Sequence, residues 1–410
     1  MKIFFSVGEP SGDLHGANLI RQLEQRLPGV ATTGFGGPKM RSAGCALLQD
    51  MTEFAVMGLG PVLAKLPKFF ELRRRAKEVF RSDRPDAVVL IDYPGFNWHI
   101  ARAAKEQNIP VIYYGLPQLW AWASWRVKKV QKYVDHALCK LPFEENWFRE
   151  RGCSATYVGH PYFDELRNQN PDRDFSASLR SKPGRLITLL PGSRTQEVKS
   201  NLPLLLRSAQ RVRQAVPDVH FAIASYNDRQ AAMARQLAAD ICLPVETYVG
   251  RTCELIREAH TCLACSGSVS LELLYHARPS VMVYKVPWLT YQVVRRTLIN
   301  VQYFTLVNLL AVDNIHPPEL CPYEPNSPEH EQVLFPEYAT YGDRSAEVAA
   351  HAIHWLNHPA DHQQLVRRLE ALRDQLTSGS ASATAADYIA GLLGPSAHAS
   401  DERLTINSAA

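Results

Sequence analysis

Cysteine is scarce in this 410-residue sequence, at eight residues, and no regular spacing relates them. That excludes a disulfide scaffold and points to a reducing, cytosolic compartment. The one close pair, Cys262-Leu-Ala-Cys265, has neither a second pair nor neighbouring histidines, so a buried strand explains it better than zinc does. Long apolar runs are also missing. Met1 to Val7 holds a short apolar stretch that stops at Gly8-Glu9, too short for the apolar core of a signal peptide. The most hydrophobic long stretch, Phe54 to Phe70, is interrupted by Lys65, Lys68, two prolines and two glycines, and cannot cross a bilayer as a clean helix. Excess charge of either sign is small. Forty-five basic against 41 acidic residues leave a formal charge of +4, too little for nucleic-acid binding by the whole surface. With 22 glycines and 27 prolines the chain is no fibrous protein.

At 46% hydrophobic and 21% charged, the chain can bury a substantial core. Its length suggests two or three domains at about 150 residues each. Apolar strand-like runs alternate with helical periodicity. Ile3 to Val7 reads as a buried strand, followed by a helix with Leu19, Ile20, Leu23 and Leu27 on its inner face. Ala87 to Ile91, Val111 to Tyr114 and Thr156 to Val158 extend this first series. Leu186 to Leu190, Val219 to Ala224, Thr261 to Cys265 and Val281 to Tyr284 form a second. Such alternation predicts an α/β fold of parallel sheets with right-handed crossovers, as two doubly wound Rossmann-like domains facing a central cleft. The expected segments are an N-terminal domain over 1–170, a C-terminal domain over 185–345, C-terminal helices over 346–394, and a disordered tail over 395–410. A polar hinge from Arg167 to Gly184 separates the domains. Six prolines between Asp313 and Gly342 mark an extended excursion rather than another strand–helix unit.

Ligands of open α/β sheets bind beyond the carboxyl ends of the strands. Four such ends are rich in glycine, serine or charge. In Gly8-Glu9-Pro10-Ser11-Gly12-Asp13 the glycines allow close backbone approach, and Ser11 is placed to cap a helix. Pro191-Gly192-Ser193-Arg194 opens a helix whose free N–H groups favour phosphate, and Arg194 adds a fork of donors suited to a diphosphate. The spacing from Ser193 to Gln196 equally fits a capping box. Ser266-Gly267-Ser268, with Glu272 further on, is a second loop of this kind. Glu272 either complements the helix dipole or accepts hydrogen bonds from a ribose. Asp92-Tyr93-Pro94-Gly95-Phe96-Asn97 puts a carboxylate at the end of an apolar strand. There it either caps the turn or, desolvated in a cleft, serves as a general base.

Two common chemistries lack their signatures, since there is no Gly-x-Ser-x-Gly elbow and no Walker loop. The one Asp-x-Asp, Asp172-Arg173-Asp174, falls in the polar hinge, so a metal-bound sugar diphosphate is not expected there. Leu59, Val62, Leu63, Leu66, Phe69 and Phe70 share a helical face, beside Lys65, Lys68, Arg73, Arg74, Arg75 and Lys77. Apolar residues flanked by basic ones read as an interfacial membrane contact, with a buried packing helix as the rival. Trp120-Ala121-Trp122 and Trp125, followed by Arg126, Lys128 and Lys129, suit a lipid phosphate, stacked bases or a core equally well. His160, in Val158-Gly159-His160-Pro161, is open to a structural or a functional role.

Taken in order, these segments resemble one family. Gly8 to Asp13, Ala55-Val56-Met57-Gly58 and Asp92 to Asn97 are followed by Trp120-Ala121-Trp122, Leu141-Pro142-Phe143-Glu144 and Val158 to Pro161. Leu189 to Arg194, Ser266 to Ser268 with Glu272, and Asn308-Leu309-Leu310 complete the set. The series is similar to bacterial lipid A disaccharide synthase, a family of inverting glycosyltransferases with the GT-B fold, and covers roughly Ile3 to Ala311. The resemblance implies transfer of 2,3-diacylglucosamine from UDP-2,3-diacylglucosamine to 2,3-diacylglucosamine 1-phosphate, giving a β-1,6 disaccharide 1-phosphate and UDP. It implies Asp92 and Arg194 as catalytic residues, and Gly192, Ser193, Arg194, Ser266, Gly267, Ser268, Glu272 and Asn308 as the UDP site. The acceptor is expected at Ser11, Gly12, Asp13, Asn97 and Trp120, and the membrane contact at Leu66, Phe69, Phe70, Arg73, Arg74 and Arg75. No metal or cofactor, no nucleic-acid partner, a homodimer, and a peripheral position on the cytosolic face of the inner membrane complete the expectation.

The chain departs from the family pattern at Gly95, usually a second aspartate, at Ala123, usually basic, and at Gln118, usually serine. Two rival functions fit the same loops: a UDP-sugar 2-epimerase, and a non-catalytic GT-B-like protein that binds lipid or nucleic acid.

Overall fold

The computed structural model describes residues 1–52, 62–297, 300–321, 323–325, 327 and 330–394, with the backbone alone described for 62–66 and 293–297. The Ala55-Val56-Met57-Gly58 segment and the 395–410 tail lie outside the described residues. The chain divides into two compact units. One joins Met1–Asp164 to the chain from Gly379 onward, and the other is Glu165–Ser378.

The first unit is built on a sheet of seven strands: β1 (Lys2–Val7), β2 (Ala31–Gly36), β3 (Ala46–Asp50), β4 (Ala87–Ile91), β5 (Val111–Tyr114), β6 (His136–Cys139) and β7 (Ala155–Tyr157). Their order is β3-β2-β1-β4-β5-β6-β7, and every pairing is parallel. All five residues of β4 are buried, as a strand covered by helices on both faces requires. Alternate residues of β1 serve the two faces. Ile3, Phe5 and Val7 join Leu19, Ile20 and Leu23 of the helix Pro10–Arg26. On the other face Phe4 meets Phe35 and Phe80 edge-on, with ring centres 5.4 and 5.0 Å apart. The helix Ala381–Leu393 completes this unit and places Ala385, Ala386 and Ile389 in the same core as β1. Its first turn is held by the Asp164 carboxylate, which accepts from Ser380 Oγ and from the amides of Ala381 and Ser382 at 2.9–3.3 Å.

The second unit holds β8 (Arg185–Leu190), β9 (Val219–Ser225), β10 (Glu246–Val249), β11 (Thr261–Cys265), β12 (Ser280–Lys285) and β13 (Glu337–Thr340), ordered β10-β9-β8-β11-β12-β13 and again all parallel. Ile187, Leu189, Phe221, Ile223 and Leu263 pack against Leu202, Leu205 and Ala209 of the helix Thr195–Ala215, and against Val348 and Trp355 of the helix Ser345–Asn357. That helix and the helix Pro359–Leu376 belong to this unit, so the expected group of C-terminal helices is divided between the two.

Within each unit the strand order is that of a doubly wound nucleotide-binding sheet, and it reverses between β1 and β4 and between β8 and β11. Those reversals open crevices at the carboxyl ends of the central strands, where the four glycine- and charge-rich loops begin. Two expectations are corrected. The excursion from Asp313 contains β13, which pairs with β12, so it ends in an edge strand of the sheet. The hinge contains the helix Arg173–Arg180, capped by Asp172, whose carboxylate accepts from the Phe175 amide at 3.0 Å and pairs with Arg251 at 2.8 Å.

Candidate active site

In the first unit, the turn after β4 carries Asp92 and Tyr93 at φ +44° and +46°. The left-handed region costs a non-glycine residue roughly 1–3 kcal/mol and persists only where its surroundings over-determine it. They do so here. Tyr113 Oη donates to the Asp92 carbonyl at 2.6 Å, and Asn97 Nδ2 donates to the same carbonyl at 2.8 Å. Asn97 Nδ2 also reaches the carbonyls of Ser6 and Ile91, while its Oδ1 accepts from Ser6 Oγ at 2.7 Å. The Tyr93 ring then lies on Gly8, where any Cβ would come 2.2–2.6 Å from the ring carbons, so only glycine fits.

The Asp92 side chain projects from this braced turn, one-quarter exposed, and its Oδ1 takes the ammonium of Lys140 at 2.8 Å. Lys140 follows β6 and reaches Asp92 past the end of β5. There Gly115, at φ +73°, makes room, since a Cβ would stand 3.0–3.2 Å from Lys140 Cδ, Cε and Nζ. The start of the next helix is fixed by Glu144, which is fully buried. It accepts from the Lys140 and Leu141 amides at 2.9 and 3.1 Å and from the Trp120 indole at 2.8 Å. Burial pushes the Glu144 carboxyl above its usual range, against those donors and the Lys140 charge. Lys140 is lowered by burial and raised by Asp92, Glu144 and Glu9, and ends above its ordinary value, so its charge is kept. His160 is held well below the ordinary range by burial, then by Lys140 and His15, and stays neutral.

Of the five acceptor residues expected from the sequence, Gly12, Asp13, Asn97 and Trp120 are buried and Ser11 is exposed. Asp13 is buried, and its carboxylate is spent on the amides of Gly37, Lys39 and Met40 at 2.8–3.0 Å, fixing the short helix Pro38–Ser42. Asn97 and Trp120 are fully buried braces. Gly12 is buried and lets its helix approach β1, because a Cβ would meet Val7 Cγ1 at 2.8 Å. Ser11 alone is exposed, and it caps nothing, since the N-cap is Glu9. Lys140, Gly115 and Tyr113 were missed. β6 opens on the polar His136 and leads straight into Lys140, so its own residues do not mark it as a strand with Lys140 at its carboxyl end.

In the second unit, Gly192 adopts φ +114°, and a Cβ there would strike Glu197 at 2.7 Å. Glu197 Oε2 accepts from the amides of Ser193 and Arg194, both at 3.1 Å, and Oε1 pairs with the Arg194 guanidinium at 3.1 Å. The capping box therefore runs from Arg194 to Glu197, one residue later than Ser193 to Gln196. Two amides expected to be free for phosphate are occupied, whereas the Arg194 side chain is 82% exposed. Beyond β11, Gly267 and Ser268 are exposed, Ser266 is half-buried and Glu272 is buried. Glu272, Cys253 and His276 bring one ligand atom each within 4.8 Å of one another. The set could hold a metal by donor type, but Arg257, Arg278 and Arg373 all bear on His276, and three cations oppose a divalent ion. Asn308 is the clearest correction, because none of its side chain reaches solvent. It donates to the Phe335 carbonyl and Glu337 Oε2 at 2.7 and 2.9 Å, and accepts from the amides of Leu334 and Phe335. Its partner Glu337 is pushed up to about 7, chiefly by burial and against the amides of Phe304 and Thr305 and the Asn308 side chain.

Compared with known proteins, residues 3–345 match the lipid-A-disaccharide synthetase family. The chain belongs to it. A lipid-A-disaccharide synthase of Anaeromyxobacter sp. (strain K) is 36% identical over 396 residues, 96% of this chain and 97% of that protein. One of Geobacter sulfurreducens is 33% identical over 395 residues, again 96% and 97%. A putative UDP-N-acetylglucosamine 2-epimerase of Listeria monocytogenes superimposes with a TM-score of 0.61 at 13% identity, covering 96% of this chain and 95% of its own. The calicheamicin glycosyltransferase CalG4 gives 0.55 at 16% identity, covering 96% and 99%. At such identities these two share the fold alone, and the fold is GT-B. This member of the lipid-A-disaccharide synthetase family is accordingly a glycosyltransferase.

The helix Val62–Ser82 carries the residues expected from the sequence to meet a membrane. No helix among the described residues is long and apolar enough to cross a membrane. Phe69 turns inward, packing on Phe96 and Tyr93 at 5.4 and 6.5 Å between ring centres, and does not belong to an outer face. It continues a buried stripe of Leu72, Ala76 and Phe80. Phe70 is 63% exposed, Arg74 is exposed, and Arg73 and Arg75 are half-buried. The Leu66 side chain lies outside the described residues. Trp122 and Trp125 are exposed, with the Arg126 guanidinium 5.0 and 5.2 Å from their ring centres. Gly95 is unconstrained, as a Cβ there would meet nothing within 4 Å.

Proposed function

We propose that the protein transfers 2,3-diacylglucosamine from UDP-2,3-diacylglucosamine to 2,3-diacylglucosamine 1-phosphate, forming the β-1,6 disaccharide 1-phosphate and UDP. The observation that carries this reading is the family match over 3–345, joined to a braced carboxylate at one strand reversal and an exposed arginine at the other. In this reading Asp92 takes the proton of the acceptor hydroxyl as its oxygen bonds to the anomeric carbon of the donor. The bond from that carbon to the diphosphate oxygen breaks, UDP leaves with the electron pair, and the configuration inverts. Such a transition state resembles an oxocarbenium ion, so charge collecting on the diphosphate gains most from a fixed cation. Arg194 is that cation. Gly192 and Ser193 shape its loop, Ser266, Gly267 and Ser268 approach the nucleotide, and Glu272 accepts from the ribose. Neither step calls for a metal or cofactor.

Both substrates carry acyl chains, which suits a peripheral position on the cytosolic face of the inner membrane. Phe70 enters the headgroup region while Arg73, Arg74 and Arg75 meet anionic lipid.

The test is UDP release by the purified protein with both acylated substrates in mixed micelles. Release that requires the lipid acceptor supports the synthase reading, and Asp92→Asn should then lower turnover about 10²–10⁴-fold. Epimerisation of a UDP-sugar without acceptor, or no turnover at all, would replace it with one of the rival functions.

A further inference from the structure

We infer that Lys140 is a positioning residue of the transfer step: its ammonium clamps one oxygen of Asp92, fixing the direction of the carboxylate and leaving the second oxygen for the acceptor hydroxyl. The inference rests on Asp92 being the base and adds a residue that reading does not contain.

The turn is held by two independent sets of restraints. Its backbone is fixed by Tyr113 and Asn97, which both donate to the Asp92 carbonyl. Neither touches the carboxylate. Among the described residues the side chain is held by Lys140 alone, 2.8 Å from Oδ1, and Oδ2 has no hydrogen-bond partner. Lys140 is itself built in. Its side chain is 17% exposed, Glu144 ties down its amide, and its outer carbons and ammonium lie over Gly115, where an alanine would crowd them at 3.0–3.2 Å. A surface ion pair between long side chains is worth little because both partners wander. This one has a cation whose path is walled, so the carboxylate is oriented rather than merely neutralised.

The proton balance is simple. The acceptor O–H proton passes to Asp92 Oδ2, the oxygen forms its bond to the anomeric carbon, and Lys140 keeps its three protons throughout. The other groups bearing on this cluster are Glu9 from the turn after β1, Tyr93 beside Asp92, Tyr113 on β5, Glu144 from the helix after β6, and His160 with His15. Glu9 and Glu144 are the acids among them, and both favour the charged lysine. His160, held well below the ordinary histidine range by burial, bears on it as a neutral imidazole.

The experiment compares Lys140→Met, Lys140→Arg, Gly115→Ala and the combination of Lys140→Met with Gly115→Ala against the parent in the acceptor-dependent UDP-release assay, with Asp92→Asn alongside. Methionine keeps the length of the side chain and removes the charge. Lys140→Met should lower kcat about 10²-fold, the order expected when a reacting group loses its alignment. The donor and acceptor KM values should stay within about threefold, and Lys140→Arg, which returns a cation, should recover part of kcat. Gly115→Ala should lower kcat in the same way, and the double variant should lose no more than Lys140→Met, because both act on one contact. Far-UV circular dichroism identifies any variant that has lost its fold, and Lys140→Gln then replaces Lys140→Met. An inactive Asp92→Asn with near-parental kcat in Lys140→Met overturns this inference and leaves the base assignment standing. An active Asp92→Asn overturns both. Additive losses in the double variant overturn the clamp as well.

Discussion

Asn97 separates a brace from a ligand contact. Its side chain is fully buried and makes four close polar contacts: Ser6 Oγ donates to it, and it donates to the carbonyls of Ser6, Ile91 and Asp92. The amide group has two hydrogens for those three carbonyls, so the contacts amount to about three hydrogen bonds. Replacement by alanine removes them where water cannot substitute. At about 1 kcal/mol per bond the loss is about 3 kcal/mol, or about 6–12 °C in the melting temperature of a unit of this size. Asp92 keeps the Tyr113 bond at 2.6 Å, so the turn loosens without being lost. Asn97→Ala should therefore melt earlier and lose about 10–100-fold in kcat through misplacement of the carboxylate, with both substrate KM values little changed. Differential scanning calorimetry and steady-state kinetics read the two effects. A raised acceptor KM with unchanged melting would falsify the brace and restore Asn97 as an acceptor contact.

Arg194→Ala should cost about 2–4 kcal/mol of transition-state stabilisation, read as a drop of about 10²–10³-fold in kcat/KM for the donor; normal kinetics would leave Arg194 and Glu197 as a helix start only. Phe70→Ser with Arg73, Arg74 and Arg75 changed to glutamine should weaken co-sedimentation with anionic vesicles and leave melting within about 2 °C, whereas unchanged sedimentation would remove this helix from the interface. Asn308→Ala should destabilise the second unit by about 1–3 kcal/mol, since it strips a buried acid of its partner; a loss of UDP affinity without loss of stability, by calorimetry, would reverse that assignment. Acid sensitivity follows from three histidines. Burial depresses His260, His276 and His351 to about 4 from 6.5, so between those values the unfolded chain binds protons that the folded one does not. Stability is then full above about pH 6.5 and falls toward pH 4. Glu337, raised to about 7, acts oppositely between about 4.5 and 7, as does Glu144, which burial also raises, while His160 is depressed like the three histidines. Melting followed from pH 8 down to 4 checks the sign, and a rising melting temperature would refute it.

The local sequence carried the fold a long way, because a parallel strand buried on both faces needs an unbroken apolar run, and Ala87–Ile91 or Thr261–Cys265 can be little else. It also located the ligand loops, since each begins where such a run gives way to glycine or charge. Strands with a polar or glycine-broken pattern, such as Ala31–Gly36 and His136–Cys139, are not marked by their own residues, and their place in the sheet is set by neighbours. The same limit governs the site. Asp92 and Arg194 are legible as charged residues at strand ends, but direction is a property of packing. An aspartate, an asparagine and a tryptophan in promising motifs, Asp13, Asn97 and Trp120, turn inward because buried amides, carbonyls and a carboxylate there need partners. Lys140 stands 48 residues from Asp92 and meets it only because β4, β5 and β6 lie side by side and Gly115 leaves a gap between them. Composition and pattern thus determined what kind of fold and what kind of loops this chain has. Which of their polar groups face a ligand was decided by the hydrogen bonds that the assembled interior had to satisfy.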